Sequence, residues 1–459
     1  MRLFIRPIAA ALFAIFLTFP VMQARAQDAG DAGQRARMAD QLLSDNGFLR
    51  RIAVDWLVDK GGSKAVSALI RALRFETAEA PEIVAALEKL TGAKPGNDWK
   101  SWMLWLQQHP EITPHKDYDR FLSAFFAALD PKFVSLVYPS MPHTIRLEEI
   151  VWGGVKKDAI PPLDDPALIP ASEADYLTPE ELVFGVEING DARAYPLRIM
   201  DWHEMLNDVV GGVPVSLAYC TLCGSGILFE TAIKGREKPF RFGSSGLLYR
   251  SNKLMYDRET NSLWNQFTGE PAAGPLAGSG ITLSARPVVI TNWQAWRASH
   301  PETKVLSLDT GFERDYRPGQ PYGDYFASKE LIFPAYLDDG RLGAKDYVFA
   351  LRGGAADKAW PLAAFKGGVV INDMAGAVPL TLIGNEESQT VRAYRTDGRV
   401  FEKTGNPGEV RSGGEAWQVT EEALRSPEGE AFPRLPGHIA YWFAWSGYLG
   451  AGGELAEAR

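Results

Sequence analysis

Apolar side chains recur every three to four positions over residues 27–140, which is the spacing of amphipathic helices. Asp98 precedes one of these stretches and is a predicted N-cap. The pattern predicts short helices, which either stack in the manner of HEAT repeats or form an ordinary bundle, because periodicity leaves the order of helices open. The clearest apolar faces are Val66, Leu69, Ile70 and Leu73; Trp99, Trp102, Met103 and Leu106; and Leu122, Phe125, Phe126 and Leu129.

The pattern changes at about residue 145. Short runs of β-branched and aromatic residues alternate there with Gly, Pro and Asn-Asp turns, which is typical of strands joined by tight connections. We therefore predict an α+β protein, in which a helical N-terminal segment is followed by a β-rich part.

The β-rich part contains two stretches that resemble each other. Residues 183–197 (VFGVEINGDARAYPL) align with residues 348–362 (VFALRGGAADKAWPL), and the same shift of 165 positions aligns 207–217 with 372–382. Such self-similarity is the mark of a repeated structural unit. We predict a duplicated β-rich unit, with the first copy in residues 141–315 and a degenerate second copy in 316–459. Five tryptophans recur in both copies and are predicted core residues: Trp264, Trp293, Trp296, Trp442 and Trp445.

The two copies differ at the residues that could carry chemistry. In the alignment, His203 of the first copy meets Gly368, Glu204 meets Val369, Cys220 meets Asn385 and Cys223 meets Ser388. Because the apparent scaffold residues are shared and these are not, the duplication predicts a single functional centre in the first copy.

Composition and charge narrow the classes of function. The chain of 459 residues has a formal net charge of -9, which argues against a large nucleic-acid surface. Arg2 and Arg6, an apolar run over residues 8–21 and the small residues before Gln27 predict a signal peptide cleaved after Ala26. No later segment is apolar for the length that a membrane span needs. We expect a periplasmic or secreted protein whose partner is an unidentified small molecule or protein.

The two cysteines of the chain lie in one stretch, Cys220-Thr-Leu-Cys223-Gly. Metal binding is the leading interpretation, because the glycine lets a C-x-x-C segment fold back so that both sulfurs face one centre. His203 would be the third ligand, with Glu204, Met255 or Asp257 as the fourth. Thiolate and imidazole with the Met255 thioether suit Cu(I), and a carboxylate in its place suits Zn(II).

Three other interpretations of the cysteines stay open. A structural disulfide is one, although so short a loop stabilises a fold little. A thiol–disulfide redox pair is another. Because a strand is predicted on each side of the pair, no helix N-terminus would lower the pKa of a thiol, and His203 would activate it instead. The third is nucleophilic catalysis by one cysteine with His203 as base and Glu204 or Asp257 orienting it. A non-catalytic binding or assembly protein is the alternative to all of these.

A polar segment at residues 244–264 carries further candidates. We predict a turn at Ser244, Ser245 and Gly246 whose amides face an anion, with Arg250 and Arg258 available to pair with a carboxylate or phosphate. A charged hairpin with local ion pairs is the alternative.

Two stretches resemble the DUF3179 family of bacterial and archaeal proteins. They are DWHEMLNDVVGGVPVSLAYCTLCGSGILFE and GSSGLLYRSNKLMYDRETNSLWNQFTGEPAAGPLAGSGITL, within a resemblance that covers roughly residues 170–450. The resemblance implies the family pattern of a His-Glu pair (His203 and Glu204), the C-x-x-C turn, and a polar segment over residues 255–260. It implies no activity, because the family has none that is settled.

Overall fold

The structure is a computed structural model that describes residues 32–75, 77–335, 340–352, 357–449 and 453–456. The predicted signal peptide lies outside these ranges. The described residues up to Leu129, together with Val137–Ser140, form a first compact unit. Asp130–Leu136 and the described residues from Met141 onward form a second unit.

The first unit is helical. Asp98 caps α5 through a hydrogen bond that its carboxylate accepts from the backbone N–H of Ser101, as predicted. The predicted apolar faces are buried except for the half-buried Leu129, and Trp102, Phe121 and Phe125 lie among the largest fully buried side chains. Stacking in the manner of HEAT repeats stays a prediction. The helices are α1 (32–41), α2 (Gly47–Trp56), α3 (Val66–Ala72), α4 (Ala80–Thr91), α5 (Trp99–Gln107) and α6 (Tyr118–Leu129).

The second unit is built of short strands, and its residues 141–315 are called the first region below. These strands are β1 (Ile150–Trp152), β2 (Leu163–Asp164), β3 (Leu168–Pro170), β4 (Leu182–Ile188), β5 (Asp191–Pro196), β6 (Met205–Val210), β7 (Val213–Cys220), β8 (Ser225–Glu230), β9 (Phe242–Tyr249), β10 (Asn252–Asp257), β11 (Leu263–Asn265), β12 (Glu270–Ala273), β13 (Ser284–Arg286), β14 (Val289–Asn292) and β15 (Lys304–Leu306). Helices α7 (Leu197–His203) and α8 (Trp293–Ser299) follow β5 and β14.

Residues 316–459 of the same unit are called the second region. Its strands are β16 (Tyr347–Leu351), β17 (Lys358–Pro361), β18 (Val369–Ala375), β19 (Val378–Asn385), β20 (Thr390–Arg395), β21 (Glu402–Lys403), β22 (Glu409–Ser412), β23 (Glu415–Val419), β24 (Ala423–Arg425), β25 (Ala431–Leu435), β26 (His438–Tyr441) and β27 (Glu454–Leu455). Helix α9 (Gly323–Ala327) precedes these strands, and α10 (Trp442–Leu449) follows β26. Helices followed by sheets confirm the α+β prediction.

The strands are ordered in the same way in parts of the two regions. In the first region, β14-β4-β5-β15 are adjacent, and β15 runs parallel to β5. In the second region, β26-β16-β17-β27 are adjacent, and β27 runs parallel to β17. The other first-region sheets are β13-β8-β7-β6-β2 and β1-β9-β10-β11-β12, and β18 to β25 form the eight-stranded sheet β18-β19-β20-β25-β24-β23-β22-β21.

One hydrophobic core is shared by both regions. Tyr219 and Leu228 of the first region belong to it, as do Trp360 and Leu382 of the second. The five tryptophans that recur in the sequence are all buried, which confirms their prediction as core residues. In the part of the chain that the structure describes, no helix combines the length and the apolar character needed to cross a membrane.

Candidate functional site: a buried disulfide hairpin beside a charged cavity

The two cysteines form a disulfide at the tip of a hairpin. Strand β7 ends at Cys220, a single 3-10 turn covers Thr221–Cys223, and β8 begins at Ser225, which pairs with Cys220. The sulfurs of Cys220 and Cys223 are bonded, with the two Cα atoms 5.2 Å apart. The prediction of a strand on each side of the pair is confirmed. Activation of a thiol by a long helix is therefore not part of this site.

Tyrosines pack tightly on this turn. Gly224 has a φ of +60°, and a Cβ built on it would lie 2.9 Å from the Tyr347 ring and 3.1 Å from the Tyr441 ring. Those two rings stack with their centroids 4.4 Å apart. The Tyr325 hydroxyl donates a hydrogen bond of 2.7 Å to the backbone carbonyl of Leu222. A glycine is required here both by its backbone conformation and by the lack of space.

Cys220 borders a small cavity of about 50 Å³. The polar part of its wall comes from Glu204, Ser244, Lys253 and Tyr322, and leucine, valine and isoleucine side chains form the rest. Cys220 is 4% exposed, whereas Cys223 is fully buried with its Sγ 3.1 Å from the backbone carbonyl oxygen of Ser251. A space of this size holds a water molecule or one small group of a larger molecule. Of the two cysteines, Cys220 is thus the one that lies beside the cavity.

A buried ion pair faces the same cavity. The Nζ of Lys253 lies 2.5 Å from Oε2 of Glu204, and their side chains are 4% and 11% exposed. Lys253 also donates to the carbonyl oxygen of Tyr219 at 3.4 Å. Burial lowers the pKa of Lys253, and the Glu204 carboxylate opposes that shift. Glu204 is held by an N–H hydrogen bond to Met200 at the end of α7, where its own backbone is left-handed with φ +56°.

Lys253 was not singled out in the sequence, although it stands inside the segment that resembles the family. A signal was present, because Lys253 directly precedes the apolar run at residues 254–256, and a charged residue is unusual in a strand that is buried along its whole length. Asp201 on α7, three residues before Glu204, is also buried. Burial, reinforced by the charge of Glu204, raises the pKa of Asp201 well above its usual range, while a hydrogen bond from Tyr219 opposes the shift.

His203 is fully buried with both ring nitrogens engaged. Its Nδ1 donates to the carbonyl oxygen of Pro161 at 2.8 Å, so its Nε2 accepts from the Tyr316 hydroxyl at 2.5 Å. Burial lowers the pKa of His203 to about 4, although the bond to Pro161 opposes this. The ring is therefore neutral with no free lone pair, and it does not border the cavity beside Cys220.

Two further predicted ligands, Asp257 and Met255, make contacts within the fold, and their role as ligands stays a prediction. Asp257 ends β10 and accepts hydrogen bonds from the N–H of Thr260 at 2.6 Å, the hydroxyl of Thr260 at 2.7 Å and Nε1 of Trp264 at 2.9 Å. Met255 is fully buried and pairs with Trp264 and Ser244 in the neighbouring strands.

The predicted turn at Ser244–Gly246 is wrong. These residues lie inside β9, and the chain turns at Arg250 and Ser251, which both have positive φ. Pairing with β1 and β10 holds Phe242–Tyr249 in a strand despite the local preference of serine and glycine for turns.

The four polar residues predicted near that turn are placed as follows. Ser244 reaches the cavity, where its hydroxyl donates to Glu204 at 3.5 Å, and the hydroxyl of Ser245 donates to the carbonyl oxygen of Leu254. Arg250 pairs with Glu149 at 2.7 Å, and Arg258 with Asp164 at 2.6 Å. Both arginines are thus engaged by carboxylates distant in sequence, and their role in ligand binding stays a prediction.

The predicted metal ligands are not gathered around one point. Among the described residues, no group of three or more His, Cys, Asp and Glu side chains is placed to hold a metal ion. Disulfide sulfurs are not thiolate ligands, and His203 has no lone pair to offer. Binding of copper or zinc stays a prediction for the reduced chain.

Comparison with known proteins assigns a family. No curated protein and no solved structure matches the chain. Residues 157–451 match a family described as "protein of unknown function (DUF3179)", and this stretch covers the disulfide, the ion pair and most of both β-rich regions. The match extends over more than half of the chain, as the motifs around Cys220 and Met255 predicted. The chain belongs to the DUF3179 family.

Proposed function

We propose that the protein is an exported thiol–disulfide redox protein whose reacting sulfur is that of Cys220. The observation that carries the proposal is the asymmetry of the disulfide. Cys220 borders a cavity that is also lined by a buried Lys–Glu pair, whereas Cys223 is fully buried. A purely structural bridge needs neither the cavity nor the ion pair. So short a loop would also stabilise the fold by only about 2 kcal/mol.

The exchange proceeds through a mixed disulfide. A substrate thiolate attacks Sγ of Cys220, the Cys220–Cys223 bond breaks, and Cys223 leaves as a thiolate that takes up a proton. The resulting thiol donates to the carbonyl oxygen of Ser251, 3.1 Å away. A second substrate thiolate then attacks the substrate sulfur of the mixed disulfide and releases Cys220. The substrate dithiol has lost two electrons, which the two cysteines have gained.

Lys253 supplies the positive charge that this site lacks from any helix or from His203. When Cys220 leaves as a thiolate, the ammonium group across the same cavity stabilises it and lowers the pKa of the thiol. Burial lowers the pKa of Lys253, and the Glu204 carboxylate opposes this and so favours the charged ammonium. When the cysteines are oxidised, Lys253 and Glu204 form an ion pair with no net charge. The cavity is therefore neutral again each time the disulfide reforms.

The two regions are proposed to be copies of one ancestral unit, of which the first alone reacts. The likeness of strand order supports this, and so do matching hydrogen bonds. Asn207 bonds both backbone groups of Phe242, and Asn372 bonds both backbone groups of Phe401. The Tyr195 hydroxyl donates to Asp208, and at the aligned position Nε1 of Trp360 donates to Asp373.

Export is part of the proposal because a disulfide of this kind persists in an oxidising compartment. The signal-like sequence up to Ala26 supports it. Sequencing the N-terminus of protein recovered from the periplasm should give Gln27 as the first residue. A first residue of Met1 in cytoplasmic protein would contradict the assignment.

Redox titration tests the function. The folded protein is equilibrated in dithiol buffers of graded potential, and free thiols are counted by alkylation and mass. We expect both cysteines to be reduced in one two-electron step at a potential above about −300 mV, because inert structural disulfides have potentials below that value. Lys253→Met/Glu204→Gln, which removes the pair together, should lower that potential and slow alkylation of Cys220. Asn385→Ala/Ser388→Ala is the matched control at the aligned turn and should change neither. A disulfide that resists excess dithiothreitol in the folded protein would overturn the proposal.

Metal binding by the reduced pair is the second candidate, because Glu204 borders the same cavity as Cys220. Reduced protein is dialysed against one equivalent of Zn²⁺ or Cu⁺, and retained metal is measured. Stoichiometric retention that Cys220→Ser/Cys223→Ser abolishes would favour it, whereas no retention with reversible oxidation leaves redox exchange.

A further inference from the structure

A second and larger cavity, of about 590 Å³, lies where strands of the two regions meet. The first region contributes Phe229 on β8, and the second contributes Val378 at the start of β19 and His438 on β26. We name it the interregion cleft. It shares no lining residue with the cavity beside Cys220, so its ligand need not take part in redox exchange.

The walls of the interregion cleft are mainly apolar. Phe229, Phe267 and Leu283 are each less than 5% exposed and form one side. A cavity of this size and lining is typical of a site for a small organic molecule, and its apolar walls favour an occupant with a hydrocarbon or aromatic body.

Two polar side chains face this apolar wall without a matching partner. Nη1 of Arg352 is buried and has no hydrogen-bond partner among the described residues, and its guanidinium lies 5.1 Å from the centre of the Tyr448 ring. His438 is 5% exposed, and its Nε2 likewise lacks a partner within the described ranges. The His438 ring lies 5.6 Å from that of Phe267, on the cleft wall.

The chemistry of these two groups is complementary to an anion. Burial, with a smaller contribution from the positive charge of Arg352, lowers the pKa of His438 to about 3. The imidazole is therefore neutral at physiological pH and can donate one hydrogen bond. A guanidinium pairs with both oxygens of a carboxylate, and such bonds strengthen where water is excluded. The other arginine of the cleft, Arg395, is bound to Asp397 at 3.0 Å and is less available.

We propose that the interregion cleft binds a small carboxylate with an apolar body, whose carboxylate is held by Arg352 and His438 and whose body packs on Phe229, Phe267 and Leu283. Binding there bridges the two regions, because the groups that hold the carboxylate belong to the second and Phe229, Phe267 and Leu283 to the first.

Calorimetry with defined probes tests this proposal. Octanoate is titrated into the mature protein, with 1-octanol as the probe that has the same chain and no carboxylate. We expect one saturable site for octanoate and binding at least 10-fold weaker for 1-octanol. Arg352→Gln should weaken octanoate binding at least 10-fold, while Arg352→Lys retains part of it. Arg425→Gln, an exposed arginine outside the cleft, is the matched control and should bind normally.

A bulky substitution keeps the test decisive if Arg352→Gln does not fold. Val378→Trp fills the cleft from a half-buried position without altering a charge and should abolish binding while the melting temperature stays near that of the parent. Equal affinity for both probes, or undiminished octanoate binding in Val378→Trp, would overturn the proposal. The Cys220→Ser/Cys223→Ser variant should bind octanoate normally, which separates this site from the redox proposal.

Discussion

The hairpin turns at residues 220–223 and 385–388 occupy aligned positions in the two regions and are closed by different chemistry. In the first, the sulfurs of Cys220 and Cys223 are bonded. In the second, Oδ1 of Asn385 accepts hydrogen bonds from the N–H of Ser388 at 2.8 Å and from its hydroxyl at 2.9 Å. An Asn–Ser pair therefore suffices to close this turn. The cysteines of the first region are not needed for its shape, which favours a role in reaction.

The scaffold around the two turns differs less than the turns themselves. Asn207 and Asn372, at aligned positions, each clamp a phenylalanine. Phe242 and Phe401 each meet a tryptophan edge-on, with ring centroids 5.3 Å apart (Trp264 and Trp417). The difference lies in exposure, because Asn207 is buried and Asn372 is half-buried. The same contacts should therefore contribute unequally to stability in the two regions.

Replacing the two asparagines should give the largest effect. Asn207→Ala leaves both backbone groups of Phe242 without partners in a buried setting, which should lower the free energy of unfolding by about 3 kcal/mol. Asn372→Ala should cost about half as much, because water can reach the freed groups. Urea unfolding followed by tryptophan fluorescence measures both. Equal losses would show that the two clamps are equivalent and that burial does not distinguish the regions.

Lowering the pH should destabilise the first region through His203. The second region lacks this effect, because Gly368 stands at the aligned position. The pKa of this histidine is 6.5 in an unfolded chain and about 4 in the fold. Its contribution to stability is thus complete above pH 6.5 and is lost as the pH falls toward 4, because the unfolded chain binds the proton first. Between pH 7 and pH 5 this loss amounts to about 2 kcal/mol.

His203→Gln removes that titration. From pH 7 to pH 5, the free energy of unfolding of the His203→Gln variant should fall by about 2 kcal/mol less than that of the parent. Urea unfolding at each pH measures both. If parent and variant respond alike to pH, the imidazole is not held neutral by its burial.

The smallest effects should come from one backbone position in each turn. Gly224 has φ +60°, and the aligned Gln389 has φ +54°. Gly224→Ala meets the tyrosine rings and should cost about 1.5 kcal/mol, whereas Gln389→Gly relieves left-handed strain and should gain about 0.5 kcal/mol. Thermal unfolding gives both signs. A gain of stability in both variants would mean that the rings of Tyr347 and Tyr441 move aside readily to make room for the added methyl group.

Much of the architecture was accessible from local patterns. Helical periodicity located the N-terminal helices, and Asp98 identified the start of one of them, because caps and apolar faces are properties of neighbouring residues. The alternation around Cys220 predicted the hairpin for the same reason. Ser244 to Gly246 was misread as a turn since pairing with β1 and β10, which joins residues distant in sequence, decides that segment.

The composition of the site was less predictable. His203 stands beside Glu204 in the sequence, but the left-handed residue that ends α7 sends the two side chains to different surroundings. Lys253 comes to Glu204 across 49 positions of chain. Periodicity contains no information on such contacts, so the residue types could suggest a centre at the cysteines without showing which cation stands beside it.

Through Tyr347 and Tyr441 the second region, which has no cysteine of its own, lies against Gly224 in the disulfide turn of the first. These tyrosines start β16 and end β26, so the second region forms a wall of the first region's disulfide turn. If the first and second regions were produced as two separate chains, the sulfurs would be exposed to bulk solvent. Every proposed reacting atom would still belong to one chain. The second region thus forms part of the enclosure around a disulfide that it does not itself contain.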